Sequence, residues 1–545
     1  MTGNRRILNA VATSGLLAAV TVLVGLPAAT ADELADLRAN QELLQKRIDQ
    51  LSQAPPQAAP YVPGFGPETH KEVSGIPAVG GSFPRSFLIP GTDTSLRIGG
   101  FARADVIYWI QGARAGGALN GQGGQPNSNQ DGMGGTGLLP NIPLNNSIAH
   151  SRSSASDISA RPSRLLFDAR TPTAWGQVRA YLEMDFGATL ETTLSGTTTV
   201  VSGWVPRLRK AYGTIGGLLA GQDTGIFHDP DADAELLDFG GHASSSGRAR
   251  VPQVKYTYAG PYGTVFNVGM ENPDAEAVTT AGKLSFDNTA VASTSCSVTG
   301  NTTTALPATT ACVPNNAFLN PLKTSWPELA ATGRINQPWG HVQVGFVVRN
   351  NQLNDGQYLD TNRIGYAGTI SGDAHPFSGA PGTLGKDDLG FAFAGGTNTG
   401  GQLANGVGPA SNFGRNLFVP GFGFVNPLTS AQWNTTNSAT RKAYDGVVST
   451  ADSQSYDAKI WYQHWWTENL RSTLETSGIW NAINTNLTAG CTTCNKLLAV
   501  AHANLVWSPV AFVDLGIEYA WGHRVITTNF KGDAYSLQGQ MTVRF

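Results

Sequence analysis

The sequence predicts an all-β fold: a transmembrane antiparallel β-barrel of about sixteen strands, with an N-terminal coiled-coil helix. Three observations carry that expectation. Residues 161–186, RPSRLLFDARTPTAWGQVRAYLEMDF, alternate apolar and polar positions on both sides of a turn-like TPTAWG, and period 2 broken by a turn is an antiparallel hairpin. The unit recurs along the chain, joined by short turns at one end and long irregular segments at the other, an asymmetry a soluble sandwich has no reason to show. The chain stops on YSLQGQMTVRF, in which Tyr535, Leu537, Gly539, Met541, Val543 and the terminal Phe545 alternate with polar residues.

Composition bounds the reading. A chain of 545 residues holds one large barrel or several ordinary domains. With 41% hydrophobic residues and a mean hydropathy of −0.15, it is too polar for a helical membrane protein. The net charge of −3 argues against nucleic acid as a partner. Glycine is abundant, at 65 residues, and clusters with Asn, Thr and Ser in stretches that read as large loops.

The elements follow in order. Residues 1–31 read as a signal peptide: Arg5 and Arg6, an apolar run from Ile7 to Leu26, and Ala29-Thr30-Ala31 as the cleavage motif. The competing reading is a retained helical anchor, against which Pro27 and the small residues before Asp32 weigh. Residues 32–53 form a coiled coil, with Leu34, Leu37, Gln41, Leu44, Ile48 and Leu51 at alternating a and d positions. So short a seam is marginal alone, and its alternative is an amphipathic helix docked on its own domain. Residues 54–94 are a Pro/Gly/Ala-rich linker, and the barrel occupies 95–545.

In SLRIGGFARADVIYWIQ, Leu96, Ile98, Ala102, Ala104, Val106, Tyr108 and Ile110 face one way, and Arg97, Phe101, Arg103, Asp105 and Gln111 the other. Paired strands are predicted over 207–224, 250–271, 327–349, 455–480 and 496–522, with a last strand at 532–545. The expected short turns are Ala174-Trp175-Gly176, Pro261-Tyr262-Gly263, Pro338-Trp339-Gly340 and Trp507-Ser508-Pro509, each with an aromatic residue suited to a membrane interface. The expected long loops are 112–160, 187–206, 225–249, 272–326, 350–385 and 481–495. Between 386 and 454 the pattern is weakest. There LGFAFAGG reads as a strand, with a partner placed near Arg415–Val425.

Motifs for catalysis are missing. The sequence has no H-E-x-x-H, no G-x-S-x-G and no complete phosphate-binding loop, so no enzyme, cofactor or metal is expected. The four cysteines favour local disulfides, Cys296 with Cys312 and Cys491 with Cys494, because an exported chain meets an oxidising compartment. A redox role for Cys491-x-x-Cys494 lacks the helix start such chemistry uses. The signal that remains is charge. Arg97, Arg103, Arg164, Arg170, Arg179, Arg207, Arg209, Arg250 and Lys255 are assigned to the inner face of the first six strands, and outnumber Asp105, Asp168, Glu183 and Asp185 there. Arginine presents a planar fork matched to carboxylate and phosphate, which favours anion transit. The plainer reading is a set of neutralised pairs stiffening the wall. Lys210 breaks the pattern, since alternation turns it outward. The third long loop, 225–249, carries Asp229, Asp231, Asp233, Glu235 and Asp238. It lacks the glycine of an EF-hand, which leaves either a constriction or an exposed acidic loop.

Several of these stretches resemble the DcaP-like porins of Gram-negative bacteria: FLIPGTDTSLRIGGFARAD, RLLFDARTPTAWGQVRAYLEMDF, LRKAYGTIGGLLAGQDTGIF and RVPQVKYTY. The similarity spans the signal, coiled coil, linker, first half of the barrel and last strand, and leaves out loops 272–326 and 350–450. The aromatic ending also resembles the assembly signal of outer-membrane barrels. The resemblance implies a sixteen-stranded homotrimer in the outer membrane, surrounded by lipid, with its coiled coil in the periplasm. It implies passage of small anionic solutes such as dicarboxylates, with Arg97, Arg103, Arg164, Arg170, Arg207 and Arg209 as the wall and 225–249 as the constriction. The alternative is a structural or adhesive barrel with a closed lumen.

Overall fold

A computed structural model of the chain describes residues 80–112, 132–134, 138–151, 153–188, 205–243, 250–273, 277–278, 322–323, 325–354, 360–399, 402–403, 416–420, 448–451, 454–482 and 495–545. The expected signal peptide, coiled coil, most of the linker and all four cysteines lie outside these residues.

Sixteen antiparallel strands form one closed sheet. In chain order they are β1 (Ser95–Gln111), β2 in two pieces (β2a, Ser153–Ser159; β2b, Arg164–Thr173), β3 (Gly176–Ala188), β4 (Val205–Ile215), β5 (Leu218–Asp223), β6 (Val251–Ala259), β7 (Thr264–Glu271) and β8 (Glu328–Gln337). There follow β9 (Gly340–Asn354), β10 (Asp360–Ala374), β11 (Asp388–Thr397), β12 (Gln454–Thr467), β13 (Leu470–Ala482), β14 (Asn495–Val510), β15 (Val513–Ile526) and β16 (Lys531–Arg544). Each strand pairs with the next, and β16 returns to β1 in a register running from Phe101 opposite Arg544 to Gln111 opposite Tyr535. The last residue is tied in as well: Gly100 N–H donates to Phe545 O at 3.3 Å, and Phe545 N–H to Gly100 O at 3.1 Å. Closure leaves no unpaired edge.

The distribution of side chains inverts that of a soluble protein. Leu474, Phe266, Ile460 and Val106 stand outward and exposed, while Asp105, Glu183, Asp185, Glu475 and Glu518 are buried inside. An outer surface this apolar on a closed cylinder belongs in hydrocarbon. Period 2 produces it directly, since alternate residues point to opposite faces. Aromatic residues collect at the short-turn end, where Trp175, Tyr262 and Trp339 are exposed.

Five expectations need correction. Residues 153–159, assigned to a loop, form β2a and pair with Asp105–Gln111; the run SSASDIS is too polar to show alternation. Residues 360–374, also assigned to a loop, form β10 between β9 and β11. Its outward residues Ile364, Tyr366 and Ile370 do alternate, but the inward ones are Gly365, Ala367, Thr369 and Ser371, small enough to lower the contrast. Because β10 exists, LGFAFAGG runs in the opposite sense to that expected and pairs with β10 and β12. The partner proposed near Arg415–Val425 is not in the barrel: Asn416–Pro420 belongs to a separate three-stranded sheet with Ala277–Val278 and Val448–Ala451. Finally, Trp507-Ser508-Pro509 continues β14, and the turn falls at residues 511–512.

Candidate functional site

The inner faces of β1 to β6 carry a connected set of charges. Across β2b and β3, Arg170 and Arg179 both bind Asp168, at 2.7 and 2.8 Å. Across β3 and β4, Arg207 and Arg209 both bind Asp185, at 2.7 and 2.6 Å, and Arg209 shares Glu183 with Arg164 at 3.0 and 3.1 Å. Arg103 binds Asp105 on its own strand at 2.9 Å, and Lys210 and Lys255 lie 3.1 and 3.8 Å from Asp223 of β5. Eight cations thus share five carboxylates, which leaves the wall net positive. Antiparallel pairing explains the proximity, since cross-strand neighbours on one face stand about 5 Å apart. The side chains differ in reach: Arg207 and Arg170 are 32% and 25% exposed, whereas Arg164 is 5% exposed and works inside the wall. Arg179 lies over the rings of Tyr181 and Tyr212, which stack at 5.2 Å.

Two residues sit differently from expectation. Lys210 points inward because the β3–β4 ladder slips at this point: Lys210 pairs with Glu183 and Leu208 with Met184, so Arg209 is the extra residue of a bulge. Strict alternation could not have placed it. Arg250 precedes β6 and is out of phase with Val251, Gln253 and Lys255, so the strand's alternation does not put it on the wall. Arg97 keeps the inward phase of β1 and stands opposite Asp168 in register.

The acidic loop lies within the cylinder. Strand β5 has only 6 residues against 17 in β1, so the third long loop, L3 (residues 224–250), leaves the wall part-way along it. Ile226 and Phe227 pack on the inward Ala330, Val347, Ala367 and Ala394 of β8 to β11; here the small side chains of β10 find their purpose. Further on, Arg103 and Gln538 donate to Leu237 O, Asn504 donates to Glu235 O at 2.8 Å, and Trp461 Nε1 donates to Ala232 O at 2.9 Å. A side chain at Gly516 of β15 would meet Leu237 at 2.7 Å. At the near side the Phe239 ring lies 5.6 Å from the Arg207 guanidinium.

The carboxylates of L3 turn toward the far wall, β8 to β14, each onto a cation there. Asp229 accepts from Arg334 at 3.3 Å and His341 Nε2 at 2.8 Å. Asp231 binds Arg334 at 2.6 Å, Asp233 binds Lys459 and lies 3.0 Å from His228, and Glu235 pairs with Arg471. Asp238 meets His502 at 3.1 Å, and also takes the backbone N–H groups of Met133 and Gly134 in the first long loop at 2.8 and 2.7 Å. Burial alone would raise these carboxyls. For Asp229 it is outweighed by the hydrogen bond and charge of His341 and the charge of Arg334, which hold it below the usual range. For Asp233 the charges of Lys459, His228 and His242 do the same. Sequence reasoning stopped at the sixth strand and missed Arg334, Lys459 and Arg471, although their phase with Thr332, Trp461 and Thr473 was readable. The described part of the first loop packs beside L3: Met133, Leu138, Leu139 and Ile142 meet Ile107 and Trp109 of β1, Ile479 of β13 and Leu498 of β14.

Near the short-turn end Asp373, His375 and Asp388 bring potential ligand atoms within 4.8 Å of one another. His375 stands 3.5 Å from Asp388 and His341 bonds Asp373, so the group is accounted for by its own ion pairs.

What a closed barrel with an inserted third loop belongs to is decided by comparison. The family model described as Porin subfamily matches residues 84–521. The chain belongs to the porin subfamily. Among solved structures, the porin is similar to the outer membrane channel DcaP of Acinetobacter baumannii, with 20% identity, a TM-score of 0.56, and coverage of 84% of this chain and 99% of that one. It also matches an anion-selective porin from Comamonas acidovorans, with 8% identity, a TM-score of 0.43, and coverage of 83% and 100%; at that level the likeness says nothing about what either pore passes. No curated protein matches. The porin is therefore an outer-membrane channel and not an enzyme, and the closed-lumen alternative gives way.

Proposed function

We propose that this porin is a passive diffusion channel for small negatively charged solutes, with carboxylates and dicarboxylates as the substrate class. The observation that supports it best is the wall of β1 to β6, where cations outnumber the carboxylates they share. An anion passing between that wall and L3 exchanges some of its hydration for guanidinium hydrogen bonds, and Arg170 and Arg207 reach furthest toward it. Asp229, Asp231, Asp233, Glu235 and Asp238 form the constriction loop, and their pairing with the opposite wall removes the repulsion such a loop would exert. Arg97, Arg103, Arg179, Arg209 and Lys255 complete the path, and Arg164 holds Glu183 from inside the wall. The same reading places residues 32–51 in the periplasm as a parallel three-stranded coiled coil beneath a homotrimer, and the cysteine pairs on outer loops.

The test is the reversal potential of a planar bilayer under a KCl gradient. Removing both Arg170 and Arg207 by alanine substitution takes away two contacts of about 1 kcal/mol each at such distances, so the anion-to-cation permeability ratio should fall several-fold. A wild type that prefers K⁺, or a double variant with an unchanged potential, reduces these arginines to wall braces.

A further inference from the structure

We propose that the far wall is a selectivity element in its own right: Lys459, flanked by Arg334 and Arg471, offsets part of the charge of L3 so that a permeating anion meets the basic wall against a weaker opposing field. The inference deepens the anion-channel reading and rests on it. A loop with five carboxylates in twenty residues, set against a wall of arginines, would by itself create a strongly negative constriction. The described structure instead distributes those carboxylates over cations of five different strands: Arg334 on β8, His341 on β9, Lys459 on β12, Arg471 on β13 and His502 on β14. None of these cations is more than 7% exposed, so none is itself a contact for the solute. Their effect on permeation passes through the loop, which makes them positioning residues for the field.

Lys459 is where that role separates from simple anchoring. Its side chain is 1% exposed and it pairs with Asp233 at the middle of L3. The backbone there is held independently, by Trp461 Nε1 on Ala232 O and by Asn504 Nδ2 on Glu235 O. Removing the ammonium therefore alters the charge while the chain keeps its place. Without Lys459, Asp233 keeps only His228 and His242 as partners, and the added negative charge, a few ångströms from confined water, acts on ions with less screening than in bulk.

The experiment compares the purified porin with Lys459→Met, Asp233→Asn and the double variant, by reversal potential in a KCl gradient together with single-channel conductance. Lys459→Met should lower the anion-to-cation ratio by about twofold or more, Asp233→Asn should raise it, and the double variant should return to the wild-type value. The conductance steps show that each variant still forms an open pore. An unchanged ratio in Lys459→Met overturns the proposal, as does a double variant displaced as far as that single one, since loop movement and not charge would then be the cause. Should Lys459→Met fail to insert, Asp233→Asn decides: a raised ratio supports the proposal and an unchanged one overturns it. The wild-type ratio judges the anion-channel reading separately, because the order among the variants does not depend on it.

Discussion

At the scale of single residues the charges of this porin are held in shared ion pairs, and those pairs shape its response to pH. Asp229 and Asp233 face Arg334, Lys459, His228, His242 and His341, and both carboxyls lie below their usual range. A carboxyl depressed in the folded state stabilises that state at every pH above the unfolded value of about 3.9. The contribution is lost only as pH falls below that value, through the lower folded one. The ion pairs of these two carboxyls should therefore persist down to about pH 5 and give way only below about pH 4, seen as larger and noisier single-channel conductance. Conductance that stays quiet and unchanged well below about pH 4 would contradict the assignment of these two acids as the clasp. Lys210 teaches a related lesson about what alternation conveys. Its inward direction follows from one extra residue in β4, and a bulge shows in a pattern of period 2 only as a break in phase, without saying which face the odd residue takes.

At the scale of elements, L3 is the proposed constriction. Phe227 is completely buried against β8 to β11. Phe227→Ala removes an aromatic anchor whose loss costs about 3–5 kcal/mol in an ordinary core, while the ion pairs along the rest of the loop remain. The expected outcome is a barrel that still folds, as judged by heat-modifiable migration, with larger and noisier conductance steps. Steps of wild-type size and quietness would show that the ion pairs suffice. How much of this was legible in the chain depended on contrast between faces. The hairpin of β2b and β3 could be read because Arg164, Asp168, Glu183 and Asp185 alternate with Leu165, Phe167, Leu182 and Met184. Strand β10 could not, because the middle of its inner face, Gly365 to Ser371, carries only small residues, and Ala367 there receives Phe227, a contact with a loop more than a hundred positions away. The acids of L3 were visible as a cluster, but which wall they would face is a property of the closed cylinder.

At the scale of the whole molecule, the proposed trimer rests on the segment outside the described residues. Deleting residues 32–51 should lower the yield of trimers on native gels or in sedimentation without abolishing conductance; purified wild type that sediments as a monomer would sink the proposal. The seam of the cylinder has a different kind of consequence, one of timing. Every other strand meets a partner made shortly before or after it, or at most one loop away, whereas Phe101 waits for Arg544. Through export and until the final residue arrives, the first strand therefore carries a bare hydrogen-bonding edge, a template for unwanted association. Such a chain needs escort rather than speed. Phe545, whose amide and carbonyl both bond Gly100, is the last stitch. Removing it should slow the appearance of the folded, heat-modifiable band during refolding into detergent or lipid, yet leave the conductance of barrels that do close unchanged. Refolding at the wild-type rate would place the slow step elsewhere in the cylinder.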